Sequence, residues 1–165
     1  GAPRTREAKI NIHIGGAYGD RDAAMERFCK NIQLLSPAVL SRLTVENDDK
    51  PNCYSTLMLY KGIFERTGIP IVFDSHHFDL GPQDQGYEEA IKMAASTWGT
   101  VRPVCHHSNS RKKYEDEKAS AVSHSQWYYE PFDNCGLDVD VVLECKKKEL
   151  ALMKYRDDFG NEMTG

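Results

Sequence analysis

The sequence predicts an α/β fold built on a parallel sheet, and two observations predict it. Short apolar segments alternate with segments of helical periodicity along the chain, which is the pattern of repeated βα units. Each strand-like segment also ends in a residue of metal-ligating type: His13, Glu46, Asp74, His106 and Glu144. These residues recur roughly every 30 residues, about the length of one βα unit.

Taken in order, residues 10–14 (Ile-Asn-Ile-His-Ile) alternate apolar and polar before Gly15-Gly16, as a strand does when it runs into a tight loop. Asp20 is placed to cap a helix with Ala24, Phe28, Ile32 and Leu35 on its apolar face, and Ser36-Pro37 opens a short helical turn. Residues 42–46 form the second strand, closed by Asn47-Asp48-Asp49. A helix over 56–67 presents Leu57, Tyr60 and Phe64, and Gly68 stops it. Residues 69–74 are the third strand. A helix over 86–98 buries Ile91, Ala94 and Ala95. Residues 101–106 and 138–144 are the fourth and fifth strands, and a helix over 146–155 follows. The stretch 108–136 breaks the rhythm as a long polar loop insertion, and loops of that length usually carry function.

The 165 residues make one β/α domain, 1–165. With 21 basic and 25 acidic side chains the net charge is −4. That excludes a nucleic-acid binder working by bulk positive charge, but not an enzyme that grips a backbone through ions and a few local cations. No apolar run reaches the roughly 20 residues of a membrane span, and the first six residues lack the apolar core of a secretory signal. The expectation is therefore no membrane partner and an intracellular location, in the cytoplasm of a prokaryote or the nucleus of a eukaryote. The five cysteines are odd in number and lack C-x-x-C spacing, which predicts reduced, structural thiols. Cys105 and Cys145, next to His106 and Glu144, read as wall packing.

Strand parity sharpens the ligand pattern. Asn11 and His13 oppose Ile10, Ile12 and Ile14. Thr44 and Glu46 oppose Leu43 and Val45. Asp140, Val142 and Glu144 oppose Val139, Val141 and Leu143. The candidates thus share the face turned away from the helices. In a closed barrel that face points at the axis, and the C-terminal strand ends carry the active site. His77 lies just past the third strand and His124 in the long loop, so all six histidines fall near these ends. Mixed histidine and carboxylate donors suit zinc or manganese, and shared carboxylates suit several ions. Singly, each residue has a blander reading. His13 reads as a satisfied buried histidine, Glu46 and Asp74 as caps, His76 and His107 as supporting or surface residues, and Arg111-Lys112-Lys113 as a solvated run. The joint placement on five strand ends is what points to a metal site.

The segments 12–20, 41–50 and 68–77, Thr97-Trp98, His106-His107-Ser108 and 143–149 together resemble the UV damage endonucleases, repair enzymes related to endonuclease IV-type abasic-site nucleases. The Glu-Asn-Asp-Asp and Asp-x-His-His elements carry most of that resemblance. It implies a (β/α)8 TIM-barrel-type fold, of which about five C-terminal βα units are present here. It also implies a cluster of up to three divalent ions, manganese first with zinc or magnesium as alternatives. The implied activity is metal-dependent hydrolysis that nicks damaged double-stranded DNA 5′ to UV photoproducts. Carried over by motif, His13, Glu46, Asp74, His77, His106, His124 and Glu144 are metal ligands, with Glu46 and Glu144 as the catalytic, bridging carboxylates. Arg111, Lys112, Lys113, Lys146 and Lys148 are the candidate DNA-binding cations. Two departures stand out. Val104 occupies the position of a lysine that the family carries, and a barrel needs eight strands, so three N-terminal strands are expected from elsewhere, a complementary chain being one source. The rival readings are a xylose isomerase-like sugar isomerase or epimerase, and a non-catalytic barrel fragment that binds DNA or that complementary chain.

Overall fold

The computed structural model describes residues 5–160. Five strands pair in chain order and all in parallel: β1 (Ile10–Ile12), β2 (Leu43–Glu46), β3 (Ile71–Asp74), β4 (Val104–His107) and β5 (Asp140–Leu143). Helices connect them, and the sheet curls into a half-barrel. Register sets the two faces. Asn11 pairs with Thr44, Glu46 with Val72, Asp74 with His106, and His106 with Val142, so these residues share the concave side. On the convex side Leu43, Val45, Ile71, Phe73 and Cys105 join Leu59, Ile63, Ala90, Ile91 and Ala94 in the main core. β2 and β3 are buried along their whole length, as parallel strands covered on both faces are. The lower concave face is filled by Val72, Val104 and Trp98. The Trp98 indole donates to the Ile71 carbonyl at 2.7 Å, which satisfies its one polar atom.

Every strand is shorter than its sequence span. β1 stops at Ile12, ahead of Gly15 at φ 96°, so His13 lies just beyond the strand. β4 begins at Val104, because Pro103 has no N–H to donate, and it runs on to His107. Asp20 caps α1 (Arg21–Asn31), accepting from the Ala23 amide at 2.9 Å, and α2 (Pro37–Leu40) is the expected turn. The helix expected over 56–67 is α3 (Thr56–Leu59), a π turn (Tyr60–Phe64) and α4 (Glu65–Thr67), ended by Gly68 at φ 69°. The π turn shifts burial from Leu57, Tyr60 and Phe64 to Leu59 and Ile63. α1 approaches so closely at Gly62 that a Cβ there would sit 2.3 Å from the Met25 sulfur.

α5 (Ser75–Leu80) follows β3 without a loop, and the sequence spans left it out. α6 (Tyr87–Ser96) buries Ala90, Ile91 and Ala94. The 108–136 stretch is ordered. It holds α7 (Arg111–Tyr114), an antiparallel bridge between Ser110 and His124, and a Tyr114–Tyr129 stack with ring centroids 4.8 Å apart. α8 (Lys148–Phe159) runs past Tyr155 and packs Ala151 and Tyr155 against Tyr128. All five cysteines are unpaired, and burial pushes the Cys105 thiol up to about 12, consistent with wall packing. Among the described residues no helix is long and apolar enough to cross a membrane.

Candidate functional site

The site gathers at the C-terminal strand ends around Glu46, which is 5% exposed. Its Oε1 lies 3.0 Å from His77 Nδ1 and 3.8 Å from His13 Nε2, and its Oε2 lies 3.4 Å from His106 Nδ1. The Asn11 side-chain amide also donates to Oε2, and Thr44 Oγ1 holds Asn11 Oδ1 at 2.9 Å. Glu144 extends the array, with Oε1 3.2 Å from His106 Nδ1 and Oε2 3.8 Å from His124 Nδ1. Donor atoms of His13, Glu46 and His77 all lie within 4.8 Å of one another, and so do those of Glu46, Asp74 and His106. Glu46 belongs to both groups.

Local structure explains how each side chain arrives. Asp74 ends β3 and caps α5, its Oδ1 accepting from the His77 amide at 2.8 Å. That first turn swings His77 back toward Glu46. The His77 Nδ1–H also donates to the Asn47 carbonyl at 3.1 Å. A carbonyl only accepts, so this nitrogen carries the proton and Nε2 holds the lone pair when the ring is neutral. His124 reaches the rim because the long loop folds back through the Ser110 bridge, with the Arg111 amide on the Ser123 carbonyl at 2.8 Å.

Electrostatics follow from packing four carboxylates among four imidazoles. Burial opposes charge on Glu46, but the His77 hydrogen bond and the His106 and His13 charges outweigh it and hold the carboxyl below its usual range. Burial also opposes charge on His77, yet the Glu46 hydrogen bond and the Asp74 and Glu46 charges raise it to about 9. His106 is raised in the same way by Glu144 and Glu46 against its burial. Its hydrogen bond in turn holds Glu144 low. Asp74 is raised, because burial exceeds the help from His77.

The remaining histidines and the basic residues lie outside the Glu46 cluster. His107 is a satisfied buried histidine, with Nδ1 2.8 Å from Ser75 Oγ and Nε2 on the Glu130 carbonyl, and burial lowers it to about 4. His76 is buried edge-on to His124, at 5.5 Å between centroids. Arg111 pairs with Asp116 at 3.5 Å and Lys113 with Glu130 at 3.1 Å, while Lys112 is exposed beside them on α7. Lys146 and Lys148 line a cleft of about 940 Å³ along β5 and α8, together with His124 and Glu144.

A family model described as UV-endonuclease UvdE matches residues 1–163. The chain belongs to this family. It is 35% identical to the UV DNA damage endonuclease of Bacillus pumilus, over 97% of this chain and 52% of that protein. It is 34% identical to the protein of the same name from Bacillus cereus, over 90% of this chain and 48% of the other. The crystal structure of SacUVDE superposes with a TM-score of 0.79 at 26% identity, covering 95% of this chain and 53% of that one. The chain thus spans about half the length of the UvdE relatives it matches. Nothing in the site favours a sugar isomerase over this family.

Two residues at this site, Asn11 and Asn47, carry no ligand signal in the sequence and act as uncharged braces. Asp48, in the Glu-Asn-Asp-Asp element but not among the ligand candidates, lies 3.5 Å from His13 through its Oδ1. Asn47 is buried and doubly engaged. Its amide donates to the Asp74 carbonyl at 3.0 Å, and its Oδ1 accepts from the Asp74 amide at 2.8 Å. Asn47→Ala strands both buried groups, so a loss of about 2–4 kcal/mol is expected in urea unfolding. A loss below 0.5 kcal/mol (roughly the scatter of neutral surface changes) would count against the brace.

The donor set fits a divalent ion on its own terms. Asp74 Oδ2 and Asp48 Oδ2 are buried without a hydrogen-bond partner. A buried carboxylate oxygen left so is costly unless a cation serves it.

Proposed function

We propose that this chain acts in metal-dependent hydrolysis of a phosphodiester in damaged double-stranded DNA, nicking 5′ to UV photoproducts. The observation that carries the reading is the convergence of His13, His77, His106 and Asp74 on Glu46 at one rim. Membership of the UvdE family supplies DNA as the substrate class. Manganese is the first candidate, with zinc or magnesium as alternatives. One ion would be held by Glu46, Asp74 and His106 and a second by His13, Glu46 and His77, while Glu144 with His124 offers donors for a third. Divalent ions in such a cage supply Lewis-acid stabilisation of phosphoester hydrolysis.

The protein's own groups do the rest. Asn11 and Thr44 fix the Glu46 carboxylate in place. Glu144 is partly open to solvent and held as a carboxylate by His106, so it is placed to accept a proton from the attacking water. Lys146 and Lys148 flank it as phosphate contacts. Arg111 and Lys113 contribute less, because Asp116 and Glu130 already neutralise them. β1 and β5 pair on one side each among the described strands, and a complementary segment would add its strands there.

The test is manganese-dependent nicking of UV-irradiated supercoiled plasmid. Glu144→Gln is expected to slow nicking about 10²-fold, the typical contribution of a positioned acid–base group. Equal nicking by wild type and variant would overturn the role of Glu144. No nicking by the wild-type chain with manganese would confine the activity to longer relatives.

A further inference from the structure

The loop after β1 holds a tyrosine in a conformation that tyrosines rarely adopt. Tyr18 has φ 51°, in the left-handed region, although glycines stand close by at 15, 16 and 19. Its side chain is 90% exposed. The core clusters of the described residues do not include it, so packing does not account for the strain. Strained backbone that packing does not require is a feature of ligand-contacting positions.

The ring nevertheless has a built seat. A Cβ added at Gly16 would lie 3.3 Å from the ring's Cε2 and Cζ, so the ring rests one face on the bare Gly16 backbone and turns the other to solvent. The frame around it is anchored. The Asp20 amide donates to the Ala17 carbonyl at 2.9 Å, and Arg21 holds the Pro51 and Asn52 carbonyls at 2.6 and 3.1 Å. Those bonds tie this loop to the one that follows Glu46.

Position links the ring to the centre. Tyr18 follows His13 by five residues, a chain length that spans at most about 18 Å. That is about five nucleotide steps along a DNA strand. We infer that Tyr18 is a stacking platform for a nucleobase of the strand whose backbone reaches the Glu46 centre. The inference rests on the DNA reading above. The chemistry fits: a flat, exposed π face binds any base without reading its edge, and a lesion makes the neighbouring base cheap to unstack.

The experiment uses the chain with single-stranded and UV-irradiated oligonucleotides in the presence of manganese. Tyr18→Ala is expected to bind about 5- to 150-fold more weakly, and Tyr18→Phe to bind like wild type. Tyr18→Trp places an exposed indole on the same seat, and its fluorescence is expected to be quenched on binding. Gly16→Ala, which puts a methyl under the ring, is expected to weaken binding as well. All four variants should take up manganese as wild type does. Wild-type affinity in Tyr18→Ala, or an unquenched indole in bound Tyr18→Trp, would overturn the inference while leaving the DNA reading intact. Failure of the wild-type chain to bind any oligonucleotide would overturn both.

Discussion

Glu46→Gln is expected to lose manganese from both three-ligand groups at once. The residue is shared by them, and its two oxygens meet His77, His13, His106 and the Asn11 amide. Changes in residues that merely orient metal ligands cost about 10–100-fold in affinity, so removal of a shared ligand should cost more than 100-fold. Nicking should fall by about 10²–10³-fold or more, as when a principal electrostatic group is removed. The glutamine also brings an NH2 to a place where N–H donors already converge. A metal-free readout separates this from general damage. The His77 titration, raised to about 9 by Glu46 and Asp74 against its burial, should move down toward the ordinary histidine value near 6.5. Wild-type manganese affinity in the variant would contradict the assignment.

Manganese affinity should rise steeply with pH. At neutral pH the metal-free protein keeps His77 protonated, and His106 is raised as well. A cation must displace those protons, so each one released adds up to tenfold in affinity per pH unit below the group's pKa. For His77 alone the gain between pH 7 and pH 9 is about 50-fold, and His106 adds to it. Stability of the metal-free chain should run the other way. A pKa raised by folding stabilises fully below the unfolded value near 6.5, and the contribution is lost as pH climbs through about 9. The gap of about 2.5 units is worth at most about 3.5 kcal/mol. Calorimetric titration in buffers of different ionisation enthalpy would measure the protons released. A pH-independent affinity with no proton release would refute the coupling.

The sheet was readable because period-2 alternation and βα spacing are both local signals. They place Asn11, Thr44, Glu46, Asp74 and His106 on one face, and the observed register does the same. The strand ends were less readable, since the left-handed backbone at Gly15 and the missing N–H of Pro103 shorten strands that look longer by hydrophobicity alone. The π turn at 60–64 adds a residue to one turn with no sequence mark, and so the buried face moved to Leu59 and Ile63. At the site, residue type revealed the ligand candidates but not how they arrive. His77 reaches Glu46 because Asp74 caps α5, and His124 reaches Glu144 through a 14-residue excursion closed by the Ser110 bridge. Asn47 stayed hidden because its work is done by two hydrogen bonds to a residue 27 positions away.

Anomalous diffraction from crystals soaked in manganese is the most direct measurement. Peaks are expected between Glu46, Asp74 and His106 and between His13, Glu46 and His77, each within coordination distance of a Glu46 oxygen. Density with manganese only at other carboxylates, or none at Glu46, would contradict the shared role of Glu46.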